Sequence, residues 1–403
     1  MSAARFPVDQ ILEPRNGYLA IGLFMLYVVY LVCFDSDNSS GPLVVIAPNS
    51  VASNDPDAIK SIYGSHKWRK SRFYSDFGDF QSNPSLFSEL RPKRAQILRK
   101  AFLPSFSKAN LTAMSGHVFN HLTKLLQKLD EYEQRGQPLD VYRWFRYLTF
   151  EVVSFGVQYD MITNGEDDHP FVRDFDDSIS WGILVGKPWV PDSMWPRSIK
   201  HWAKASDRTE AFAADGLRKW RDQKAAGQTT HRVDILQRLM DHGDRYPEEK
   251  LSEGELITEM MEIMLAGGDT TAMTVIYGCY ELALYPKVQQ RLRDALKESI
   301  PDRNGAVELK DLESCTYLDW TIKEMLRLHP SLPSFLERVV PESGATIAGY
   351  RLEPGIVVSM SALVQHKIES IFPDPDEFVP ERYGQVSDAR STTVLQLFTD
   401  CLE

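Results

Sequence analysis

Six consecutive residues, from Ala266 to Thr271, place two glycines, an acid and two alcohols inside a long apolar segment. A carboxyl group beside a hydroxyl can pass protons to a bound reactant, so Asp269 and Thr270 are candidate catalytic residues. Gly267 and Gly268 lack side chains, and a flat molecule could therefore approach the backbone closely. The alternative is structural: the glycines permit a close helix crossing, and the neighbouring threonines satisfy the aspartate. The six residues alone are compatible with both interpretations.

The surrounding pattern predicts one helix from Leu251 to Pro286. Ser252 and Glu255 fit a Ser-x-x-Glu capping box at its start, and Tyr285 with the following proline supplies a stop. At 1.5 Å per residue this helix would measure roughly 50 Å. We therefore expect it to cross the core of a large domain, with each central glycine costing about 1 kcal/mol relative to alanine.

The composition predicts a large globular protein of a reducing compartment. Its 403 residues, 43% of them hydrophobic, can form the core of one big domain or two. The formal charge of −11, from 45 basic and 56 acidic residues, argues against a general role in nucleic-acid binding. The scattered cysteines, with no Cys-x-x-Cys spacing, predict neither a disulfide framework nor a zinc site; they are Cys33, Cys279, Cys315 and Cys401.

An uncharged run, residues 18–34, predicts a membrane anchor after a short N-terminal segment, residues 1–17. As a helix the run would measure about 26 Å, slightly less than the roughly 30 Å of the hydrocarbon core. A cleaved signal peptide is the alternative, but the run is long for one and Cys33-Phe34-Asp35 offers no small-residue cleavage site. The sequence thus predicts a single-pass membrane protein.

The charges that flank the anchor predict its orientation. Arg5 and Arg15 precede it, whereas no lysine or arginine follows before Lys60. The positive-inside rule therefore places the main domain in the lumen. Asn38 begins a glycosylation sequon just beyond the anchor, and its modification would test this orientation.

Beyond the anchor the chain has no internal repeat and no low-complexity linker, which predicts one domain. Helical patterns dominate from about residue 92 to 286, and another helix is expected from Tyr317 to Leu328. The fold class predicted is mainly α with a small β-sheet region, to which both ends of the chain contribute. Short strands are expected at 43–47, 337–340, 345–348, 350–352 and 356–360.

Glu324 and Arg327 form a second candidate group, on the helix that ends at Leu328. Residues at positions i and i+3 share a helix face, but such a pair contributes only about 0.2–0.5 kcal/mol on a solvated surface. A Pro-Glu-Arg sequence follows downstream, and its Arg382 could join the pair. We predict a buried structural network of Glu324, Arg327 and Arg382.

In this order, these residues resemble the motifs of the cytochrome P-450 family, the haem-thiolate monooxygenases, and in particular its membrane-bound fungal branch. The segment from Ala266 to Thr270 matches the oxygen-activation motif of the family's long central helix. Glu324, Arg327 and Arg382 match its Glu-x-x-Arg helix and its Pro-Glu-Arg loop. Arg338 opens a segment similar to the family's strand pair after that helix.

The resemblance also includes a helix that begins near residue 92. Arg99 matches the arginine of the family's Trp-x-x-x-Arg helix, with Ala95 in place of the tryptophan. In the family, this arginine and the one that opens the strand pair hold the haem propionates. The resemblance implies these roles for Arg99 and Arg338, and a cytochrome P-450 fold for residues 41–383.

The resemblance further implies a monooxygenase that oxidises a small lipophilic metabolite. It would use haem b, O2 and electrons from an NADPH–cytochrome P-450 reductase. Ala266, Gly267 and Thr270 would lie beside the haem, and Asp269 with Thr270 would relay protons. The family's location implies the endoplasmic reticulum membrane with a cytosolic domain, opposite to the orientation that the charges predict.

Substrate contacts in such an enzyme would be apolar and aromatic. By resemblance, the candidates are the segment just before Pro92, residues 175–189, Leu265 on the central helix, and residues 332–335.

The chain departs from the family after Tyr383. The family ligates haem iron through a cysteine thiolate in a Phe-x-x-Gly-x-x-x-Cys-x-Gly loop, whereas the atypical tail, residues 384–403, contains only Cys401 without flanking glycines. The predicted fold is therefore truncated at the C-terminus, and no metal ligand is predicted apart from Cys401 as a weak candidate. A second hypothesis follows: a membrane-anchored pseudoenzyme that lacks the axial cysteine and is catalytically inactive.

Overall fold

A computed structural model describes residues 41–77, 82–153, 157, 159–165, 169–180, 197–227, 234–300, 307–333 and 336–385. The helices are α1 (Ile59–Tyr63), α2 (Arg72–Phe77), α3 (Pro92–Phe102), α4 (Lys108–Arg135), α5 (Val141–Val153), α6 (Met161–Asn164), α7 (Pro170–Ser180), α8 (Arg197–Ala203), α9 (Ala205–Ala225), α10 (Ile235–Arg245), α11 (Glu253–Ile263), α12 (Thr270–Leu284), α13 (Pro286–Ser299), α14 (Leu309–Ser314), α15 (Thr316–Leu328), α16 (Ala362–Gln365) and α17 (Arg382–Gln385). The strands are β1 (Leu43–Ala47), β2 (Ser50–Ser53), β3 (Arg69–Lys70), β4 (Arg338–Val339), β5 (Ala345–Ile347), β6 (Tyr350–Leu352) and β7 (Val357–Ser359). The predicted fold class, mainly α with a small sheet, is confirmed.

The main sheet joins two parts of the chain that are distant in sequence. Its strand order is β1-β2-β7-β4-β3, in which β2 and β7 are parallel and the other neighbours are antiparallel. Ser50 pairs with Val357, and Lys70 pairs with Arg338. Strands β5 and β6 form a separate hairpin, whose turn uses Gly349 at φ 83°. The register of β3 against β4 matters for the site, because it brings two basic residues together.

Two hydrophobic cores stabilise the two halves of the fold. The larger one lies among α3, α4, α5, α7, α9, α10 and α11 and includes Trp144 and Phe150. The smaller one packs α1 and the main sheet together and includes Ile59 and Val358. Burial of each large apolar side chain contributes about 1.5–3 kcal/mol, so these cores fix the helices that carry the candidate residues.

The central helix is present as predicted, but it is not a uniform α-helix. Ser252 and Glu255 form the predicted capping box, and α11 begins at Glu253. Between α11 and α12, the residues Met264–Asp269 form a π-helical turn. Such turns insert one extra residue into an α-helix and frequently occur at functional sites. The segment that the sequence identifies as unusual therefore overlaps a local change in helical geometry.

The prediction of a single-pass membrane protein is wrong for the part of the chain that the structure describes. A helix needs about 20 consecutive, mainly apolar residues to span a bilayer. Among the described helices, none combines that length with that apolar character. The predicted location in the endoplasmic reticulum membrane therefore has no support here. The predicted anchor, residues 18–34, lies outside the described residues, as do residues 1–17 and most of the atypical tail.

Candidate active site

An apolar cavity of about 400 Å³ lies between α12, α15 and the segment that follows α15. This volume falls within the usual range of small-molecule sites. Thr270 and Thr271 contribute to its wall where the π-helical turn ends. The rest of the wall is mainly hydrocarbon and includes Val275, Met325 and Leu332. Such walls suit a lipophilic molecule or the face of a flat cofactor.

The hydroxyl of Thr270 is hydrogen-bonded to the backbone of its own helix at the edge of this cavity. Thr270 Oγ1 donates a hydrogen bond to the carbonyl oxygen of Ala266, one turn earlier. The carbonyl oxygen of Thr270 accepts a hydrogen bond from Ser331 Oγ at 3.1 Å, from another part of the wall. Ala266 is exposed and lies on the same side of the helix. The structure thus brings Ala266 and Thr270 together on the open side of the helical break.

The two glycines of the break pack against α5. A Cβ atom added to Gly268 would lie 2.6 Å from Phe150 Cε1, and one added to Gly267 would lie 2.8 Å from Val153 Cγ1. The close approach that these glycines permit is therefore an approach of α5. On the side where a Cβ atom would lie, the space beside Gly267 and Gly268 is filled by α5 side chains, and the role of Gly267 beside a haem stays a prediction.

We expect Gly268→Ala to lower the free energy of unfolding by about 1–3 kcal/mol, because the added methyl group overpacks the contact with Phe150. Urea denaturation of the two proteins measures this difference. Gly116→Ala is the matched control, since a Cβ atom at that position in α4 meets nothing within 4 Å. A Gly268→Ala protein as stable as the wild type would contradict the packing role.

The carboxylate of Asp269 is not part of the cavity wall. It forms an ion pair with the buried Arg146 of α5, with 2.8 Å between Asp269 Oδ1 and Arg146 Nε. Burial raises the pKa of Asp269; the charge of Arg146 opposes this shift, and the charge of Asp176 adds to it. The interpretation in which neighbouring threonines satisfy Asp269 is therefore wrong, because its partner comes from another helix.

Three basic side chains gather where β3 and β4 pair. Arg338 Nη1 donates a hydrogen bond to Tyr74 Oη at 2.6 Å, and the Arg338 guanidinium lies over the rings of Tyr63 and Tyr74. The pKa of Lys70 is lowered to about 8, first by burial and then by the charges of Arg338 and Arg99. Positive groups that lower one another's pKa in this way would be stabilised by an anion between them. Arg99 and Arg338 thus act on the same lysine, although they are distant in sequence.

Lys70 is a residue of this cluster that the sequence alone does not indicate. Its Nζ donates to the carbonyl oxygens of Leu86 and Phe87 at 2.8 and 2.7 Å. The Leu86 N–H donates to Glu259 Oε1 of α11 at 2.8 Å. Lys70 and Glu259 therefore hold the segment before α3, which is a predicted substrate contact. A lysine in a two-residue strand carries no local sequence pattern that indicates a functional role. Its place in the cluster becomes visible only from its pairing with Arg338.

The predicted network of Glu324, Arg327 and Arg382 is assembled in the structure. Arg327 Nε and Nη2 donate to the two carboxylate oxygens of Glu324 at 2.8 and 2.9 Å, and Arg382 Nε donates to Glu324 Oε1 at 3.0 Å. Glu324 and Arg327 are both 0% exposed. Arg327 also donates to the carbonyl oxygens of His366 and Pro375. The network thus anchors the chain after α16 onto α15, the helix that also contributes part of the cavity wall.

The structure places the predicted substrate contacts in different environments. Leu332 lines the cavity. Phe175 is buried and packs against Phe150 with 5.4 Å between ring centroids, so it is a core residue, which corrects its expected role as a substrate contact. Leu265 is half-buried and packs against the helical core. Residues 181–189 and 334–335 lie outside the described residues.

Cysteines are of interest because the predicted haem needs a thiolate ligand. Within the described ranges, Cys279 is exposed on α12 and Cys315 is buried before α15. Although the residue as a whole is exposed, desolvation of the Cys279 thiol raises its pKa, which disfavours a thiolate at that position. Cys401, the weak candidate from the sequence, lies outside the described residues.

The comparison with known families decides the identity of this fold. Residues 41–393 match the sequence profile of the family described as cytochrome P450. The chain belongs to the cytochrome P450 family. The P450 is similar to a cytochrome P450 monooxygenase of Aspergillus terreus, with 26% identity over 85% of this chain and 73% of the relative. It is also similar to a benzoate 4-monooxygenase of Aspergillus niger, with 28% identity over 88% of this chain and 74% of the relative.

A solved structure supports the same fold. The crystal structure of a cytochrome P450 superposes on this P450 with a TM-score of 0.71 and 17% identity, over 88% of this chain and 81% of the other. The family and its relatives make this P450 an oxidoreductase of the monooxygenase type.

The P450 family and fold imply a haem cofactor, a redox partner and a lipophilic substrate. The residues of this P450 fit a haem in two respects: the cavity wall is apolar, and the basic cluster suits two propionates. Tyr63 connects the two regions, because its Oη donates to the carbonyl oxygen of Leu336 in the cavity wall while its ring lies under Arg338.

Proposed function

We propose that this P450 inserts one oxygen atom of O2 into a small lipophilic metabolite, while two electrons and two protons convert the other atom to water. The electrons come from NADPH through a P450 reductase. The supporting observation is the apolar cavity beside Thr270, which offers many hydrocarbon contacts and few polar ones. A substrate there is oriented mainly by shape and kept out of water.

We assign the following roles to the residues of the chain. Bound haem supplies the iron at which dioxygen is activated. Arg99, Lys70 and Arg338 hold its propionates by charge-assisted hydrogen bonds. Ala266 and Thr270 line the face of the central helix beside it, and Asp269 with Thr270 relays protons. These residues belong to one catalytic domain, residues 41–383.

The reduced protein with carbon monoxide tests this proposal. We expect the shifted Soret band of a thiolate-ligated haem, together with a hydroxylated product that depends on both NADPH and reductase. A panel of small aromatic and aliphatic acids and hydrocarbons serves as substrate. A full-length protein that purifies without haem, and that gives no product after haem is supplied, would contradict the proposal and favour an inactive pseudoenzyme.

We expect Arg338→Ala and Arg99→Ala each to weaken haem retention by about tenfold or more, because a hydrogen bond to a charged group is worth about 1.5–3 kcal/mol. The rate at which apomyoglobin removes haem from each variant measures retention. Arg69→Ala is the control, since Arg69 neighbours Lys70 in β3 but is exposed. Unchanged retention in both variants would contradict the assignment of the basic cluster.

A further inference from the structure

Arg146 on α5 binds carboxylates from two different elements. Its Nε lies 2.8 Å from Asp269 Oδ1 in the π-helical turn. Its Nη1 and Nη2 donate to Asp176 Oδ2 and Oδ1 of α7 at 3.0 and 2.5 Å. The Arg146 side chain is 2% exposed, whereas that of Asp176 is 46% exposed. One buried guanidinium therefore connects the helical break of the candidate active site to a helix at the surface.

The guanidinium of Arg146 is charged and held in a fixed position. Burial opposes its charge, but the hydrogen bonds and charge of Asp176 and the charge of Asp269 raise the pKa of Arg146 above its usual range. The rings of Tyr142 and Phe150 lie 4.9 and 5.6 Å from the guanidinium. Asp176 occupies both terminal nitrogens, which leaves Nε to Asp269. The two carboxylates therefore share the charge of one cation through different nitrogens.

Helix α7 is docked on α5 by aromatic contacts beside this ion pair. Phe150, one turn after Arg146, makes edge-to-face contacts with Phe171 and Phe175, with 5.5 and 5.4 Å between ring centroids. Phe150 also fills the space beside Gly268. A shift of α7 would thus change the Asp176–Arg146 pair and the packing against the helical break together.

We propose that Arg146 is a positioning residue that holds the Asp269 carboxylate away from the cavity, and that α7, through Asp176, sets how strongly it does so. This inference rests on the proposed function, in which Asp269 passes one proton towards the Thr270 hydroxyl and regains one from solvent. With α7 docked, Asp176 offsets part of the charge of Arg146 and Asp269 is held less strongly. With α7 displaced, Asp269 faces the full charge of Arg146 and delivers protons more slowly.

Few other charges face Asp269 among the described residues. The π-helical turn packs against α5, α11 and α12. On α5, Tyr142 is neutral near pH 7, because its pKa is raised to about 12, mainly by burial. On α11, Glu259 and Glu262 bond instead to Leu86 and Ser85. On α12, Glu281 pairs with His329. Arg146 and Asp176 are therefore the charges that act on Asp269.

Amide hydrogen exchange of α7 tests the coupling without reference to activity. Asp269→Asn removes one competitor for Arg146, so we expect the remaining pair with Asp176 to tighten and the amides of residues 170–180 to exchange about twofold or more slowly. Asp176→Asn is expected to accelerate the same amides. Unchanged α7 exchange in Asp269→Asn would overturn the coupling.

The pH dependence of coupling in the haem-loaded enzyme provides a second readout. Product formed per NADPH falls as Asp269 loses its proton, and the charge of Asp176 favours the protonated form. We therefore expect Asp176→Asn to move the midpoint of this profile to lower pH by roughly half a unit. Arg146→Lys keeps the charge but loses the forked geometry of the guanidinium. We expect this variant to keep the stability of the wild type, but its pH midpoint should no longer respond to Asp176→Asn.

Asp174→Asn is the matched control for Asp176→Asn. It also removes an arginine–aspartate pair from α7, because Asp174 lies 2.8 Å from Arg208. We expect it to loosen α7 without moving the pH midpoint. An equal pH shift in both variants would overturn the inference, whereas a shift in Asp176→Asn alone would support it. A haem-bound wild type that forms no product would instead overturn the proposed function, and the exchange experiment would still decide the coupling.

Discussion

Glu324→Ala is expected to lower the free energy of unfolding by about 3–5 kcal/mol, the range observed when one partner of a buried ion pair is removed. The change leaves Arg327 charged and 0% exposed without the carboxylate that binds two of its nitrogens. It also removes the acceptor for Arg382 and for the backbone N–H of Val379. Native proteins have only about 5–15 kcal/mol of stability. The midpoint of urea denaturation of this variant is therefore expected at a much lower urea concentration than that of the wild type.

Urea denaturation followed by circular dichroism measures the loss. Asp319→Ala is the matched control on the same helix, because its pair with Lys323 is exposed and is expected to contribute no more than about 0.5 kcal/mol. Glu324→Gln keeps one acceptor oxygen and should fall between the two. A Glu324→Ala protein within 1 kcal/mol of the wild type would refute the structural role of the network.

Thr270→Ala is expected to reduce product formation by about 10²-fold, the lower end of the effects of general acid–base groups. The variant removes the hydroxyl that lies at the cavity wall beside Asp269 and bonds to Ala266. Without it, protons are delivered in an uncontrolled order, so NADPH consumption continues and its electrons appear in hydrogen peroxide. The measurement is the ratio of product to peroxide per NADPH consumed.

Thr123→Ala is the control for the loss of a threonine side chain from a helix. Thr123 Oγ1 donates to the Phe119 carbonyl oxygen in the same way, but on the exposed face of α4. We expect this variant to couple NADPH to product as the wild type does. If Thr270→Ala retains full coupling, the proton relay uses other groups.

Patterns within single elements made much of the fold predictable. The capping box at Ser252, the helix that ends at Leu328 and the sheet built from distant strands follow from local residue preferences and spacing. The π-helical turn was not predictable, because its extra residue changes backbone hydrogen bonding without a distinct sequence signal. Two glycines in mid-helix indicate only that something lies close.

The residues of the site were easier to predict than their partners. Thr270 and Leu332 line the cavity, and Glu324 meets Arg327 and Arg382. The partner of Asp269 could not be predicted, because Arg146 belongs to another helix and the pairing depends on how closely that helix approaches. The sequence contains the glycines that allow α5 to approach so closely. Which helix approaches them depends on tertiary packing, so it could not be predicted from the sequence.

The pairing of β2 with β7 also has a consequence for the order in which the protein forms. The strands meet through Ser50 and Val357, so the sheet cannot close until nearly the whole described chain has left the ribosome. The helical core uses residues between Leu98 and Met264 and is available much earlier in synthesis. Contacts so distant in sequence also close slowly, because they must overcome the entropy of a long loop. Lys70 and Arg338, which join through the same sheet, therefore come together late in the biogenesis of the protein.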